Sequence, residues 1–249
     1  MRIFWALLRK ELGGYFLSFT GYLIIAAVTL LIGLGFVVLV RNLGTEPANM
    51  TVTEMFYGTF CFWIIVLLVA PVITMRLFAL EKASGTFETL MTVPVGDAQV
   101  VTAKFIAALI FYMFTWLPLL GCLLVVRHFT NQGGLDAGTV GGMFLGIFLV
   151  GALFVSLGCF ASSLTRNQIT AAMISFVLGV TLFSLGFLAL QLPVSADWQT
   201  QAIGMFNLFD QMHDFARGVV DTRTVVFYVS LTLLFLFLTL RVVESRRWK

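Results

Sequence analysis

Arg76–Lys104 reads RLFALEKASGTFETLMTVPVGDAQVVTAK and carries six charged residues in 29 positions. The runs on either side, Met55–Met75 and Phe105–Val126, carry none. A helix rises about 1.5 Å per residue, so about 20 apolar residues span a ~30 Å hydrocarbon core. Both flanking runs are long enough. The charged stretch therefore reads as a water-facing segment between two membrane spans, and it fixes how the rest of the chain is threaded.

The same length and polarity test, applied outward, gives four more spans. The six are Ser18–Val40, Met55–Met75, Phe105–Val126, Ala137–Leu164, Gln168–Leu190 and Thr224–Leu240, and none contains Asp, Glu, Lys, Arg or His. A charge at a helix centre costs about 2.5–3.5 kcal/mol on insertion scales, so this absence is what lipid demands. Composition agrees: 60% of the 249 residues are hydrophobic and 11% charged, against about 45–50% and about 25% in soluble domains. The alternating segments of about 10 residues expected of an outer-membrane barrel are missing. The fold class is all-α integral membrane, six transmembrane helices in a single domain over residues 1–249.

Lys and Arg set the orientation. With the N-terminus inside, the inner segments hold eleven of them and the outer segments four, namely Arg41, Arg127, Arg217 and Arg223. The positive-inside rule then puts both termini and Arg76–Lys104 in the cytoplasm. The first 17 residues have no small-residue cleavage site and are too polar for a signal-peptide core, so they read as retained. In Met1–Tyr15, Phe4, Leu7, Leu8 and Leu12 share one helical side opposite Arg2 and Arg9, while Glu11 breaks the pattern. An interfacial helix fits this pattern, and a plain positive-inside anchor is the competing reading. Between the last two spans, at Gln191–Arg223, Phe206, Phe209, Ala216 and Val219 share a face, with Asn207, Asp210, Gln211, Asp214 and Arg217 on another. Either a helix in the outer leaflet or a soluble helix covering the bundle has this pattern.

Several chemistries are excluded by what the chain lacks. There is no GxxxxGK[ST], HExxH or GxSxG, hence no P-loop, zincin or serine-elbow signature. His213 stands beside Asp214, a surface pair rather than a metal site. Cys61, Cys122 and Cys159 are scattered singly in apolar runs and read as packing residues. A net charge of +3 is too small to suggest nucleic acid. Spans without ionisable groups argue against a proton-coupled carrier. Any uphill transport needs energy from another protein. Gly142–Gly146 forms a GxxxG whose expected use is packing within the subunit.

Within the charged stretch, ALEKASGTFETLMT has helical spacing at Leu80, Phe87 and Leu90 or Met91. Gly85 interrupts it, Ser84 or Thr86 can cap a second piece, and Thr92-Val-Pro94 stops it. Asp97 is placed to cap the helix leading through Lys104 into the third span. A push on such a helix reaches a span at each end.

This stretch closely resembles the segment between spans two and three of ABC-2 type permeases, the membrane subunits of one class of ATP-driven exporters. The matching positions are Glu81, Gly85-Thr86, Glu88, Leu90, Thr92, Pro94-Val95 and Lys104. LLRKELGGYF at Leu7–Phe16 resembles that family's opening segment. The run from Phe215 to Lys249 resembles the closing segment of its gliding-motility-associated subgroup. The resemblance implies a type V exporter-like fold, with an N-terminal interfacial helix, a cytoplasmic coupling helix between spans two and three, and short re-entrant helices between spans five and six. It implies no catalysis and no cofactor in this chain, with ATP and Mg held by a separate ATPase. Glu81, Lys82, Gly85, Thr86, Glu88, Leu90, Thr92 and Pro94 become the expected ATPase-coupling interface. The expected partners are two ABC ATPase subunits and a second permease chain as homodimer or heterodimer, and the resemblance leaves room for an accessory membrane protein with a periplasmic domain. The expected setting is the bacterial inner membrane. An ATPase-driven mechanical or assembly complex acting on envelope partners is the alternative.

Overall fold

A computed structural model describes residues 2–43, 52–86, 96–130, 137–191 and 205–247. All the regular structure among them is helical: α1 (Arg2–Phe16), α2 (Phe19–Leu43), α3 (Val52–Gly58), α4 (Phe60–Thr74), α5 (Ala79–Ala83), α6 (Asp97–Thr115), α7 (Leu117–Thr130), α8 (Ala137–Leu164), α9 (Gln168–Gln191), α10 (Leu208–Ala216) and α11 (Thr222–Arg247). Helices are what charge-free runs must form in lipid, where each backbone polar group has to be satisfied within its own segment. Among these residues, six helical stretches are long and apolar enough to cross a membrane.

The span boundaries differ from the sequence reading in two places. Met55–Gly58 is not the start of the second span. It belongs to α3, and the chain breaks at Thr59, where an extended conformation (φ −75°, ψ 130°) starts α4 at Phe60. The third span begins well before Phe105. It runs from Asp97 to His128, with a break at Trp116 between α6 and α7, and takes Lys104 into the bundle. Asp97 does not cap this helix: Gly96 is the N-cap and Asp97 lies in the first turn.

The central element is α8, which packs against α4, α6, α9, α10 and α11. Its most apolar window is 78% buried, against 22% for α2, 28% for α9 and 17% for α11. Those three helices carry the outward apolar surface, such as Leu30, Leu34, Val177, Val226 and Leu233. Small residues let the neighbours of α8 approach. A Cβ at Gly158 would lie 2.1 Å from Thr74 Oγ1, and one at Gly142 would lie 2.4 Å from the Phe215 carbonyl oxygen. The GxxxG of α8 therefore seats the end of α10, which is packing within the subunit as the sequence suggested.

The two ends of the bundle are built differently. At the α10 end, Tyr57, Phe62, Trp63, Trp116, Phe183 and Phe209 interlock, with ring centroids of 4.6 Å for Tyr57–Phe62 and 4.7 Å for Trp63–Phe209. Offset and edge-on pairs of this kind add about 0.5–1.5 kcal/mol each beyond area burial. Helix α10 buries Leu208, Met212, Phe215 and Ala216, half-buries Phe209 and exposes Asp210. It covers the bundle from close range. Val219 does not share its face: Gly218 (φ +78°) turns the chain out of the helix, and Val219 is exposed. Arg217 Nε donates to Glu54 on α3, and His213 Nδ1 lies 3.7 Å from the same carboxylate. This hydrogen bond and ion pair raise the Arg217 pKa above its ordinary value. Thr53 Oγ1 donates to the Ala216 carbonyl at 2.8 Å.

At the opposite end α1 lies along α6. The Tyr15 ring stacks on Phe111 at 4.8 Å, and Phe16 meets Phe111 and Phe114 edge-on. The Tyr15 hydroxyl donates to the Ile73 carbonyl at 2.9 Å. Burial, above all, pushes its pKa well above the usual value. The reversal into α2 needs Gly21, since a Cβ there would sit 1.9 Å from the Tyr15 carbonyl oxygen.

Candidate functional site

The site grows out of how α4 ends. Pro71 lacks the N–H that would continue the helical ladder, and α4 stops three residues later at Thr74. In the turn that follows, Met75 and Leu77 N–H donate to the Pro71 and Thr74 carbonyls, while the N–H groups of Phe78 and Ala79, at the start of α5, have no partner within the turn and need one elsewhere. Ser162 Oγ on α8 accepts from Phe78 N–H at 3.1 Å and from Ala79 N–H at 3.2 Å. The Lys82 ammonium donates to the Ser163 carbonyl. Helix α5 is thereby pinned to the last turn of α8.

A second tie is electrostatic. The Lys104 ammonium on α6 lies 2.8 Å from Glu81 Oε1 on α5 and 2.9 Å from Glu11 Oε1 on α1. Its side chain is 3% exposed, and each carboxylate side chain 15%. The Phe78 ring lies 5.5 Å from the ammonium. Exposed Lys10 stands outside the cluster, 3.5 Å from Glu81 and 3.8 Å from Glu11. Three helices thus share one buried cation. Pairing is what makes the burial tolerable, since an isolated buried charge costs several kcal/mol.

Of the residues expected to couple to a partner, four lie in the described region. Glu81 is half-buried and turned inward to Lys104. Lys82 reaches α8. Gly85 has φ +73° with nothing within 4 Å of a would-be Cβ, so it breaks the helix through its backbone conformation. Thr86 is exposed, with its hydroxyl 2.8 Å from Ser84 Oγ. Glu88, Leu90, Thr92 and Pro94 lie outside the described residues, as do Phe87 and Met91. The structure adds Glu11, Ser162 and Lys104 to the cluster. Glu11 had a sequence signal, because it was the charge that broke the apolar side of α1. Ser162 had none.

Among the described residues no group of three or more His, Cys, Asp or Glu is arranged to hold a metal. The cluster pairs its charges and presents no nucleophile–base pair. Its arrangement suits mechanical linkage: displacing α5 pulls on α1, α6 and α8 together.

Among the described residues, six apolar spans define a multi-pass membrane protein. The profile of the family described as ABC-2 family transporter protein matches residues 18–183. The chain belongs to that family, as a permease subunit of an ABC transporter that partners an ABC ATPase subunit. No curated protein matches it.

Proposed function

We propose that this permease exports a substrate across a bacterial cytoplasmic membrane, driven by ATP hydrolysis in a separate ATPase. Both termini and the 76–104 segment face the cytoplasm, and two permease and two ATPase chains make one transporter. ATP and Mg belong to the ATPase. The observation that carries the reading is the wiring of α5. A helix tied to α1 and α6 through Lys104, and to α8 through Ser162 and Lys82, passes a displacement to two spans and the N-terminal helix. ATP binding closes the ATPase dimer and moves the 81–94 segment. The energetic link is the unequal affinity of the two ATPase states for the two permease states.

Within this reading the coupling residues divide into two sets. Glu81 and Lys82 are occupied inside the chain, so they transmit. Exposed Thr86, with Glu88, Leu90, Thr92 and Pro94, docks. A second reading is favoured by the likeness of the closing segment to gliding-motility-associated permeases. In it the complex uses the same stroke on envelope partners, through an accessory membrane protein, without moving solute. Co-purification of the ATPase and its turnover in lipid test the shared part. Glu88→Ala and Gly85→Ala are expected to lower ATPase assembly, or to uncouple hydrolysis from function at equal permease levels. Parental behaviour in both variants would refute the assignment.

A further inference from the structure

A cleft of about 470 Å³ opens between α1, the start of α2 and the end of α4. That volume lies within the range of about 300–1,000 Å³ typical of small-molecule sites. Its polar end holds Lys10, Glu11, Arg76, Glu81 and Lys104. Lys104 and Lys10 answer the two carboxylates. Arg76 is the cation left over: it forms no ion pair among the described residues. Its Nη1 donates to Thr20 Oγ1 at 2.5 Å, while its Nε–H is buried without a partner. Glu81 Oε2 is likewise buried without a partner. Both side chains line the cleft, so a small rotation of each turns an unanswered cationic donor and an unanswered anionic acceptor toward it.

Its other end is apolar. Leu23, Ile24 and Val72 line it, and Leu23 and Val72 are 60% and 36% exposed. They continue onto an outer surface where Leu17 and Phe19 are 86% and 81% exposed. A polar pocket opening sideways onto a lipid-facing wall, at the level where the spans end, fits an amphiphile better than a free anion.

We propose that this cleft binds a membrane glycerophospholipid whose headgroup carries a hydrogen-bond donor, ethanolamine or glycerol. The phosphodiester sits on Arg76, the headgroup N–H or O–H donates to Glu81 Oε2, and an acyl chain lies along Leu23 and Val72. Charge complementarity decides the headgroup. The phosphate answers the leftover guanidinium, and choline has no N–H or O–H to offer Glu81. The inference needs only that the six helices span a membrane, so it stands whichever way the transporter works.

The test is native mass spectrometry of the full-length permease, released from bilayers of equimolar phosphatidylcholine, phosphatidylethanolamine and phosphatidylglycerol. The lipid that survives delipidation longest is expected to be ethanolamine- or glycerol-headed, enriched about tenfold over choline. Arg76→Gln is expected to abolish the enrichment. Gly14→Trp is the second variant. Gly14 lines the cleft on α1, and a Cβ there meets nothing within 4 Å. Replacing a helical glycine favours the helix. The indole fills the cleft, and enrichment is expected to vanish with the melting temperature unchanged. Equal retention of all three lipids, or parental enrichment in Gly14→Trp, overturns the proposal. So does enrichment competed away by millimolar inorganic phosphate, which assigns the site to a free anion.

Discussion

Replacing Lys104 by Met isolates the tie among α1, α5 and α6. The Lys104 side chain is 3% exposed, and its ammonium lies within 3 Å of two carboxylates whose side chains are 15% exposed. Met keeps most of the stem's length while removing the charge and its contact with the Phe78 ring. Glu11 and Glu81 are then left half-buried and facing each other, with only exposed Lys10 nearby. Breaking a buried pair by removing one partner costs about 3–5 kcal/mol, because the remaining charge stays desolvated. Here Lys10 offers partial compensation, which places Lys104→Met toward about 3 kcal/mol. Exchanging the whole cluster for neutral groups of similar shape is often neutral. The triple change Lys104→Met, Glu11→Gln and Glu81→Gln is therefore expected to recover most of the loss. The assay is reversible unfolding in lipid nanodiscs for the parent, the single, both Lys104 doubles and the triple. A single variant within about 1 kcal/mol of the parent would refute the reasoning, and so would a triple no better than the single, since coupled neighbours must be non-additive.

Other consequences concern individual contacts. Ser162→Ala removes the acceptor of two N–H groups in the turn after α4, and should cost about 1–3 kcal/mol in the same unfolding assay. Gly142→Leu forces a side chain into the Phe215 carbonyl, so α10 should lift from α8 at a cost of about 1–3 kcal/mol, read as faster amide exchange over 208–216. Gly85→Ala places a side chain at φ +73°, costing about 1–2 kcal/mol locally. That strain should shift the segment after residue 85 and lower ATPase turnover without changing the melting of the spans.

Much of the fold was legible in the sequence because lipid leaves few options: long charge-free runs must be helices. The breaks inside those runs were less so. Thr59 and Trp116 interrupt helices without a change in hydropathy, so the separateness of α3 and α7 had no polarity signal. Lys104 shows a different failure. Read by charge, it marks the boundary of the third span, yet it lies inside, made tolerable by carboxylates 93 and 23 residues away. Its partner Glu11 was visible as an anomaly on α1, but only folding shows what the anomaly answers. The Gly142–Gly146 motif announced close packing and could not name Phe215 as the occupant. In the candidate site, Gly85 was readable as a helix break from residue type alone. The inward turn of Glu81 was not, since a solvated glutamate and a buried, paired one look the same in sequence.

The most direct test of coupling through the turn after the second span is site-specific crosslinking in native membranes. The three native cysteines are replaced, and single cysteines are placed at exposed Thr86 and, at the α10 end, at exposed Asp210. Each is treated with a short bifunctional reagent, and captured chains are identified by mass spectrometry. The account predicts that position 86 captures a subunit carrying a GxxxxGK[ST] phosphate loop, in a nucleotide-dependent yield, and that position 210 does not. Capture of that subunit from position 210, or no capture from position 86 in a complex that still hydrolyses ATP, would contradict it.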